Sequence, residues 1–443
     1  MTGSALDQAD AGGFRIAVVG SGPSGFYATE ALLRSGTPLA VDMFERLPVP
    51  YGLVRFGVAP DHPKLKLVTA AFDRIATTPG FRFIGGVAVG RDVDIDELRE
   101  SYDAVVLATG ADVSRSLGVP GEDLPGSHHA GDFVAWYNGH PDYRDCDFDL
   151  DCEAATVIGH GNVALDVARI LAKTADELRR TDIARHALEV LAESRIREIH
   201  VVGRGKPSQA KFAAKELRDF LDLGACETTV DPRDVAPDDF TPENPQDPEL
   251  VEKLSLLRAF SQQVSTKRRR CVFRFGLSPV AIRGQGRVQT IAFAQLSSRA
   301  IGDIDCGLVF RSVGRRTTPL AGVPYNEHRG VHANIEGRVV DGHGRGRSCG
   351  SARAHGAAFR RSRCAAGTSA PTRRAHGELP RLGCHRRGRE AQGGTARQAE
   401  RKIRVGRRHA GGHRRVIVRG ALPLCGIAWW DVWNAIVAVE GGK

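Results

Sequence analysis

Apolar residues along this chain gather in short blocks separated by glycine, and the order of those blocks predicts alternating strands and helices. Ile16 to Val19 is an apolar run bounded by glycine, the pattern of a strand buried in a parallel sheet. Helically spaced Phe26, Ala31, Leu32 and Leu33 follow, then a second strand over Leu39 to Phe44. A helix is predicted around Leu67 to Thr77, with short strands at Phe81 to Ile84 and Val87 to Val89. The run DAVVLATG, Asp103 to Gly110, reads as a buried strand whose end brings backbone at Gly110 near any ligand of the first turn. From Ala155 the order repeats: a strand enters Gly159, a helix runs from Val163 to Leu171, and a strand spans Glu198 to Val202. An extra helical stretch, Ala175 to Ser194, intervenes. Further helices are expected over Gln209 to Leu221 and Leu250 to Val264, with a small sheet built from KRRRCVFRFGLSPVAI and VQTIAFAQL and a strand at Leu308 to Val313.

Two glycine turns give this alternation its chemistry. Gly20, Gly22 and Gly25 stand as Gly-x-Gly-x-x-Gly between strand and helix, with Pro23 and Ser24 opening the helix. The first glycine makes the tight turn, the second lets backbone reach a pyrophosphate, and the third lets helix pack on strand. N–H groups at the helix start face the anion. Glu45, ending the second strand, is placed to accept from ribose hydroxyls. The second turn has Gly159, Gly161 and Ala164, with Asn162 at its centre. Its following strand ends at Arg204, a cation where an acid would select NAD, so the turn points to NADP. The chain is therefore expected to be α/β, with two Rossmann-like, three-layer dinucleotide-binding domains.

Between these turns lies RLPVPYGLVRFGVAPDHPKLK, whose four prolines forbid a regular helix. Tyr51, Leu53, Val54 and Val58 could cover a flat aromatic cofactor there, with His62 beside Asp61 acting near it, or the loop could be surface packing with a solvated histidine. Lys211, Lys215 and Arg218 could bind phosphate or an acidic partner, or form a solvated helix face. Lys267 to Arg270 reads as solvated charge at a strand start.

Charge divides the chain. The first 340 residues hold 40 Lys and Arg against 46 Asp and Glu, whereas 341–443 hold 22 against 6. Nine cysteines include no Cys-x-x-Cys pair, so neither a metal site nor a redox dithiol is expected. No apolar run is long enough for a membrane span, and the N-terminal 13 residues read as a flexible segment without a secretory signal. A cytoplasmic protein is expected.

VVGSGPSGFYATEALL, PYGLVRFGVAPDHPKLK, VIGHGNVALDVARIL, VVGRGKPSQAKFAAKELRDF and FRFGLSP with RSVG together resemble the adrenodoxin reductase-like ferredoxin–NADP⁺ reductases, over about residues 14–340. That resemblance implies an FAD domain (14–110 and 321–340) with an NADP domain (111–320) inserted into it. Gly20, Gly22, Pro23, Ser24, Gly25, Glu45, Leu53, Val58 and Gly110 would contact FAD. Gly159, Gly161, Asn162, Val163, Arg204 and Glu216 would contact NADP, with Lys206 standing in for a second arginine, since the family's next position is Gly205 here. His62 and Asp219, the latter in place of a family glutamate, would lie in the catalytic region. The implied reaction is hydride transfer from NADPH to the flavin, then single-electron steps to a ferredoxin-type iron–sulfur protein. A redox Cys pair and an N-terminal cysteine-rich cluster domain are both missing from the sequence, which argues against a disulfide reductase and a glutamate synthase subunit. A monomer is expected over an oligomer.

After Asp341 the periodicity stops and arginine, glycine, alanine and histidine dominate. The family's Gly-Trp segment and Arg-Gly-Pro turn are not found. Those residue types are what G+C-rich codons give out of frame, so a frameshift near 341 is expected, with 341–426 irregular and the flavin site impaired. Ile427 to Glu440 looks foldable again and resembles the family's C-terminal helix. The rival expectation is a basic arm that binds nucleic acid.

Overall fold

A computed structural model describes residues 13–235, 247–263, 266–296, 298, 300–335 and 338–339, and three strands near the C-terminus. The first module is a sheet whose core strands are β1 (Phe14–Val19), β2 (Leu39–Glu45), β3 (Phe81–Gly85) and β4 (Ala104–Leu107). They run parallel in the order β4-β1-β2-β3. Ile16, Ala17 and Val18 are fully buried because both faces of β1 are covered. On one face, helix α1 (Pro23–Leu33) packs Phe26 flat on Phe72, ring centroids 4.7 Å apart. On the other, Ala17, Val19 and Val105 meet Ile95, Leu98 and Tyr102.

The second module repeats that plan. Its strands are β5 (Ser127–His129), β6 (Ala154–Ile158), β7 (Glu198–Val202), β8 (Cys226–Val230), β9 (Arg269–Arg274) and β13 (Leu308–Arg311). All pair in parallel, in the order β5-β13-β6-β7-β9-β8. Helices α2 (Asn162–Ala172), α3 (Ala214–Arg218) and α4 (Pro248–Ser261) belong to this module, and eight of the eleven residues of α2 are buried. An antiparallel three-stranded sheet, β10 (Leu277–Arg283), β11 (Thr290–Gln295) and β12 (Ile301–Asp305), lies between β9 and β13 in sequence. The two passages between modules run side by side, Val113–Ser114 antiparallel to Arg315–Arg316.

Several expected elements differ. Val87 to Val89 forms only a bridge between Val89 and Val93, because positive-φ glycines at 86 and 90 close the segment into turns. The stretch 175–194 is two helices, Ala175–Leu178 and Arg185–Ala192, since the Ala184 N–H turns away to the Tyr137 carbonyl. The helix expected from Gln209 starts at Ala214: the N–H groups of Lys211 and Phe212 donate to the His160 carbonyl, and Ala213 N–H donates to Asn162 Oδ1. Arg269–Arg274 belongs to the large parallel sheet, not the small one. Lys267, Arg268 and Arg270 are exposed as expected, with Lys267 Nζ donating to the Leu223 and Cys226 carbonyls, but Arg269 is half-buried and its Nη1 donates to those of Ala172 and Lys173.

Beyond 341 the described strands are Arg404–Ala410 and His413–Arg419, an antiparallel hairpin, and Val437–Glu440, which pairs antiparallel with β4. Strand 437–440 stands where a helix was expected, and regular structure lies within the span expected to be irregular. It joins the first sheet beside Arg338–Val339 and Asn334–Ile335. The N-terminal segment expected to be flexible, the expected frameshift point and most of the basic tail lie outside the described residues.

Candidate functional site

The two glycine turns are built alike. The Gly20 N–H donates to the Phe44 carbonyl at 2.8 Å, and the Gly159 N–H to the Val202 carbonyl at 2.8 Å. Both glycines have positive φ, and a Cβ on Gly20 would stand 2.3 Å from the Ala108 carbonyl oxygen, one on Gly159 2.2 Å from that of Ser312. Only glycine fits where the neighbouring strand passes so close. Gly25 closes the first turn in the same way, since its Cβ would stand 2.0 Å from the Gly20 carbonyl oxygen. By contrast, a Cβ on Gly22, Gly161 or Gly110 would meet nothing within 4 Å. These are open backbone positions at the carboxyl ends of the strands, the side on which α/β sheets bind nucleotides. Neither α1 nor α2 has a side-chain cap at its start, so first-turn N–H groups are left for an anion. Pro23 is the first residue of α1, and Ser24 is buried in its first turn. Both cradles fit a dinucleotide.

Glu45 does more than was expected of it. Its Oε2 accepts from Ser21 Oγ at 2.6 Å and Ser21 N–H at 3.1 Å, and its Oε1 accepts from Leu47 N–H at 3.0 Å. The carboxylate braces the turn, Oε2 being filled by its two Ser21 bonds, and Oε1 keeps one further lone pair for a ribose. In the following loop Tyr51, at φ 92°, donates its N–H to the Ser21 carbonyl. Its ring packs on Phe26 and Phe72 and its hydroxyl bonds Asp73, while Val54 lies in the same core. Val54 therefore serves the module's interior, while Tyr51 is half-buried at its edge. Leu53 remains exposed, and Val58 is buried.

At the second turn Asn162 Oδ1 holds the start of α3, Val163 is exposed and Ala164 is buried. Arg204 is exposed without an ion-pair partner among the described residues, at the end of β7. Lys206 is exposed beside it, its N–H donating to Gln209 Oε1. His160, which the sequence reading missed, lies under Gly203 and against Phe275. Burial pushes its pKa down to about 4, so it is a neutral packing group.

The proline-rich loop carries His62 across to the second module. His62 Nε2 lies 2.9 Å from Asp219 Oδ2, and Nδ1 lies 3.5 Å from Glu216 Oε2. Burial pulls the His62 pKa down, but the Asp219 hydrogen bond, aided by Glu216 and Asp61 and opposed by Arg169, outweighs it and raises the pKa. Burial also holds the Glu216 carboxyl above its usual value, with Asp166 and Asp219 adding to the effect against His62 and Arg169. The three ligand-type groups lie within 4.8 Å of one another. The two ring nitrogens face different carboxylates, Nε2 within hydrogen-bond reach of Asp219 and Nδ1 in a longer ion-pair contact with Glu216.

Next to His62, Asp61 accepts from Arg169 Nε at 2.7 Å and Nη2 at 2.9 Å, and Nη2 also reaches Asp166 at 2.8 Å. Arg169 is 1% exposed. Burial alone would raise the Asp61 pKa, yet these bonds, with Lys173 at 3.4 Å, hold it well below the carboxylate range. Sequence reading missed this pair too. The available signal was an acid and an arginine three apart inside the otherwise apolar run NVALDVARIL.

Comparison with known proteins agrees with this geometry. Residues 14–204 match the family described as pyridine nucleotide-disulphide oxidoreductase. The NADPH-ferredoxin reductase FprA of Mycobacterium tuberculosis is 45% identical over 347 residues, which cover 74% of this chain and 76% of that protein. This chain belongs to the adrenodoxin reductase-like ferredoxin–NADP⁺ reductase family. The mitochondrial NADPH:adrenodoxin oxidoreductase of Homo sapiens is 42% identical over 352 residues, covering 74% of this chain and 71% of that one. The structure of Mycobacterium tuberculosis FprA in complex with NADPH superposes with a TM-score of 0.70 at 43% identity, covering 74% of this chain and 76% of that one. The five described cysteines, at 146, 152, 226, 271 and 306, are free, so no disulfide chemistry accompanies the family's fold among the described residues. No described helix is long and apolar enough to cross a membrane.

Proposed function

We propose that this chain passes electrons from NADPH, by way of bound FAD, to a ferredoxin-type iron–sulfur protein. It is a flavoprotein oxidoreductase by family. The observation that carries the reading is the pair of like-built glycine cradles with His62 of the first module seated against Asp219 of the second. Bound flavin links two-electron delivery by a nicotinamide to the one-electron steps of an iron–sulfur centre.

The chain's own residues bind, orient and hold a proton. Gly20, Gly22, Pro23, Ser24 and Gly25, with Glu45, Leu53, Val58 and Gly110, would hold FAD at the first cradle. Gly159, Gly161, Asn162 and Val163 would hold the NADPH pyrophosphate at the second, with Arg204 and Lys206 meeting the 2′-phosphate. The Asp219 hydrogen bond raises the His62 pKa and so favours the protonated ring, which would stand beside Glu216 at the seam of the modules. Residues 14–110 and 321–340 are assigned to FAD binding and 111–320 to NADPH binding. A cytoplasmic, monomeric enzyme is part of the same proposal, checked by fractionation and gel filtration.

Reduction of cytochrome c by the purified, FAD-supplemented chain tests the function. The expected result is a rate that needs both NADPH and an added ferredoxin, with NADH a poor substitute. An FAD-loaded protein inactive with every nicotinamide and acceptor tried would overturn it.

A further inference from the structure

Arg169 presents a physical puzzle. A guanidinium 1% exposed to solvent has lost its hydration, and a buried ion pair commonly contributes little more than an apolar pair of the same volume. What such a pair does supply is fixed geometry. Both oxygens of Asp61 are gripped, at 2.7 and 2.9 Å, by two nitrogens of one planar fork, and Asp166, three residues earlier on α2, orients that fork from its own helix. Asp61 belongs to the loop of the first module and Arg169 to a helix of the second, 108 positions away in sequence. The residue after Asp61 is His62. With Asp61 fixed, the His62 ring has its two nitrogens directed at Glu216 and Asp219 on α3 and its end.

We propose that Arg169 is a positioning residue for His62: by clamping Asp61 it holds the first module's loop on the second module and seats the imidazole between Glu216 and Asp219. The inference rests on the proposed role of this seam in electron transfer, but its primary test does not need activity. Lys173, 3.4 Å from Asp61, supplies charge without a fork and so cannot set the orientation by itself.

The test is the titration of His62 by histidine-selective proton NMR in the full chain, with the resonance assigned by its loss in H62Q. The groups that face this ring are Asp219, Glu216, Asp61, Asp166 and Arg169. Through space the Arg169 charge lowers the His62 pKa, so an Arg169→Met change acting by charge alone moves the titration up. A positioning role predicts the opposite: the ring leaves Asp219 and the titration moves down, toward that of a solvated histidine. Arg169→Lys, which keeps the charge and loses the fork, is the second variant should R169M not fold. Here positioning predicts a downward shift and charge alone predicts none. An unchanged titration in R169K, or an upward one in R169M, overturns the proposal. A second readout is a double-mutant cycle on NADPH-driven flavin reduction: R169K slows the wild type about tenfold but leaves the H62Q variant unchanged. Multiplying losses would overturn it. If the wild type takes up no FAD or is never reduced by NADPH, the functional reading fails while the NMR result still decides the role of Arg169.

Discussion

His62 and Asp219 share a hydrogen bond of 2.9 Å although 157 positions separate them in sequence, and through it the two nucleotide-binding modules meet. Because folding raises the His62 pKa above its ordinary 6.5, the protonated ring is the form the fold favours. Its stabilising contribution is complete below that ordinary value and is lost as pH rises through the raised one. Comparing thermal unfolding of wild type and Asp219→Asn across this range, we expect a deficit of about 1 kcal/mol in acid that shrinks at alkaline pH. A deficit that grows as pH rises would contradict this.

The glycines of the first turn should separate into two kinds. Gly25→Ala drives a methyl to 2.0 Å from the Gly20 carbonyl oxygen, so the protein should lose about 3 kcal/mol or fail to fold. Gly22→Ala meets nothing within 4 Å and should fold normally, yet bind FAD at least about tenfold more weakly, because its methyl stands where a pyrophosphate must approach. Chemical denaturation and flavin titration of the two variants check this together.

Nicotinamide choice should reside at the end of β7. Arg204, exposed and without an ion-pair partner among the described residues, is available to a 2′-phosphate. Arg204→Gln is expected to raise KM for NADPH by about tenfold or more, with little change for NADH, since losing a charged hydrogen bond costs roughly 1.5–3 kcal/mol. Equal losses for both cofactors would assign the residue to structure.

Arg269 should matter to stability and not to nucleic acid. Its Nη1 caps the carbonyls of Ala172 and Lys173 at the end of α2. Arg269→Ala should cost about 1–2 kcal/mol of stability in urea titration and leave any DNA retention unchanged.

The parts legible in the sequence were those whose geometry is dictated by adjacent residues. The strand–glycine–helix order is local, and Gly20 and Gly159 sit in backbone conformations that other residues rarely adopt, so both cradles could be read directly. The partners of long-range groups were not legible. Nothing near Asp61 announces Arg169, and nothing near His62 announces Asp219; both depend on how one module docks on the other. The delayed start of α3 has the same origin, since the N–H groups of residues 211–213 are taken by the second glycine turn. Arg269 looked like solvated charge because the carbonyls it satisfies come from elsewhere in the fold.

The central claim is that this chain holds FAD and that NADPH reduces it, and the visible spectrum of the purified protein tests that most directly. The purified protein should be yellow with about one flavin per chain, bleached by NADPH under nitrogen and recoloured by air or ferredoxin. A colourless chain that takes up no added FAD, or a yellow one that NADPH leaves unbleached, would contradict it.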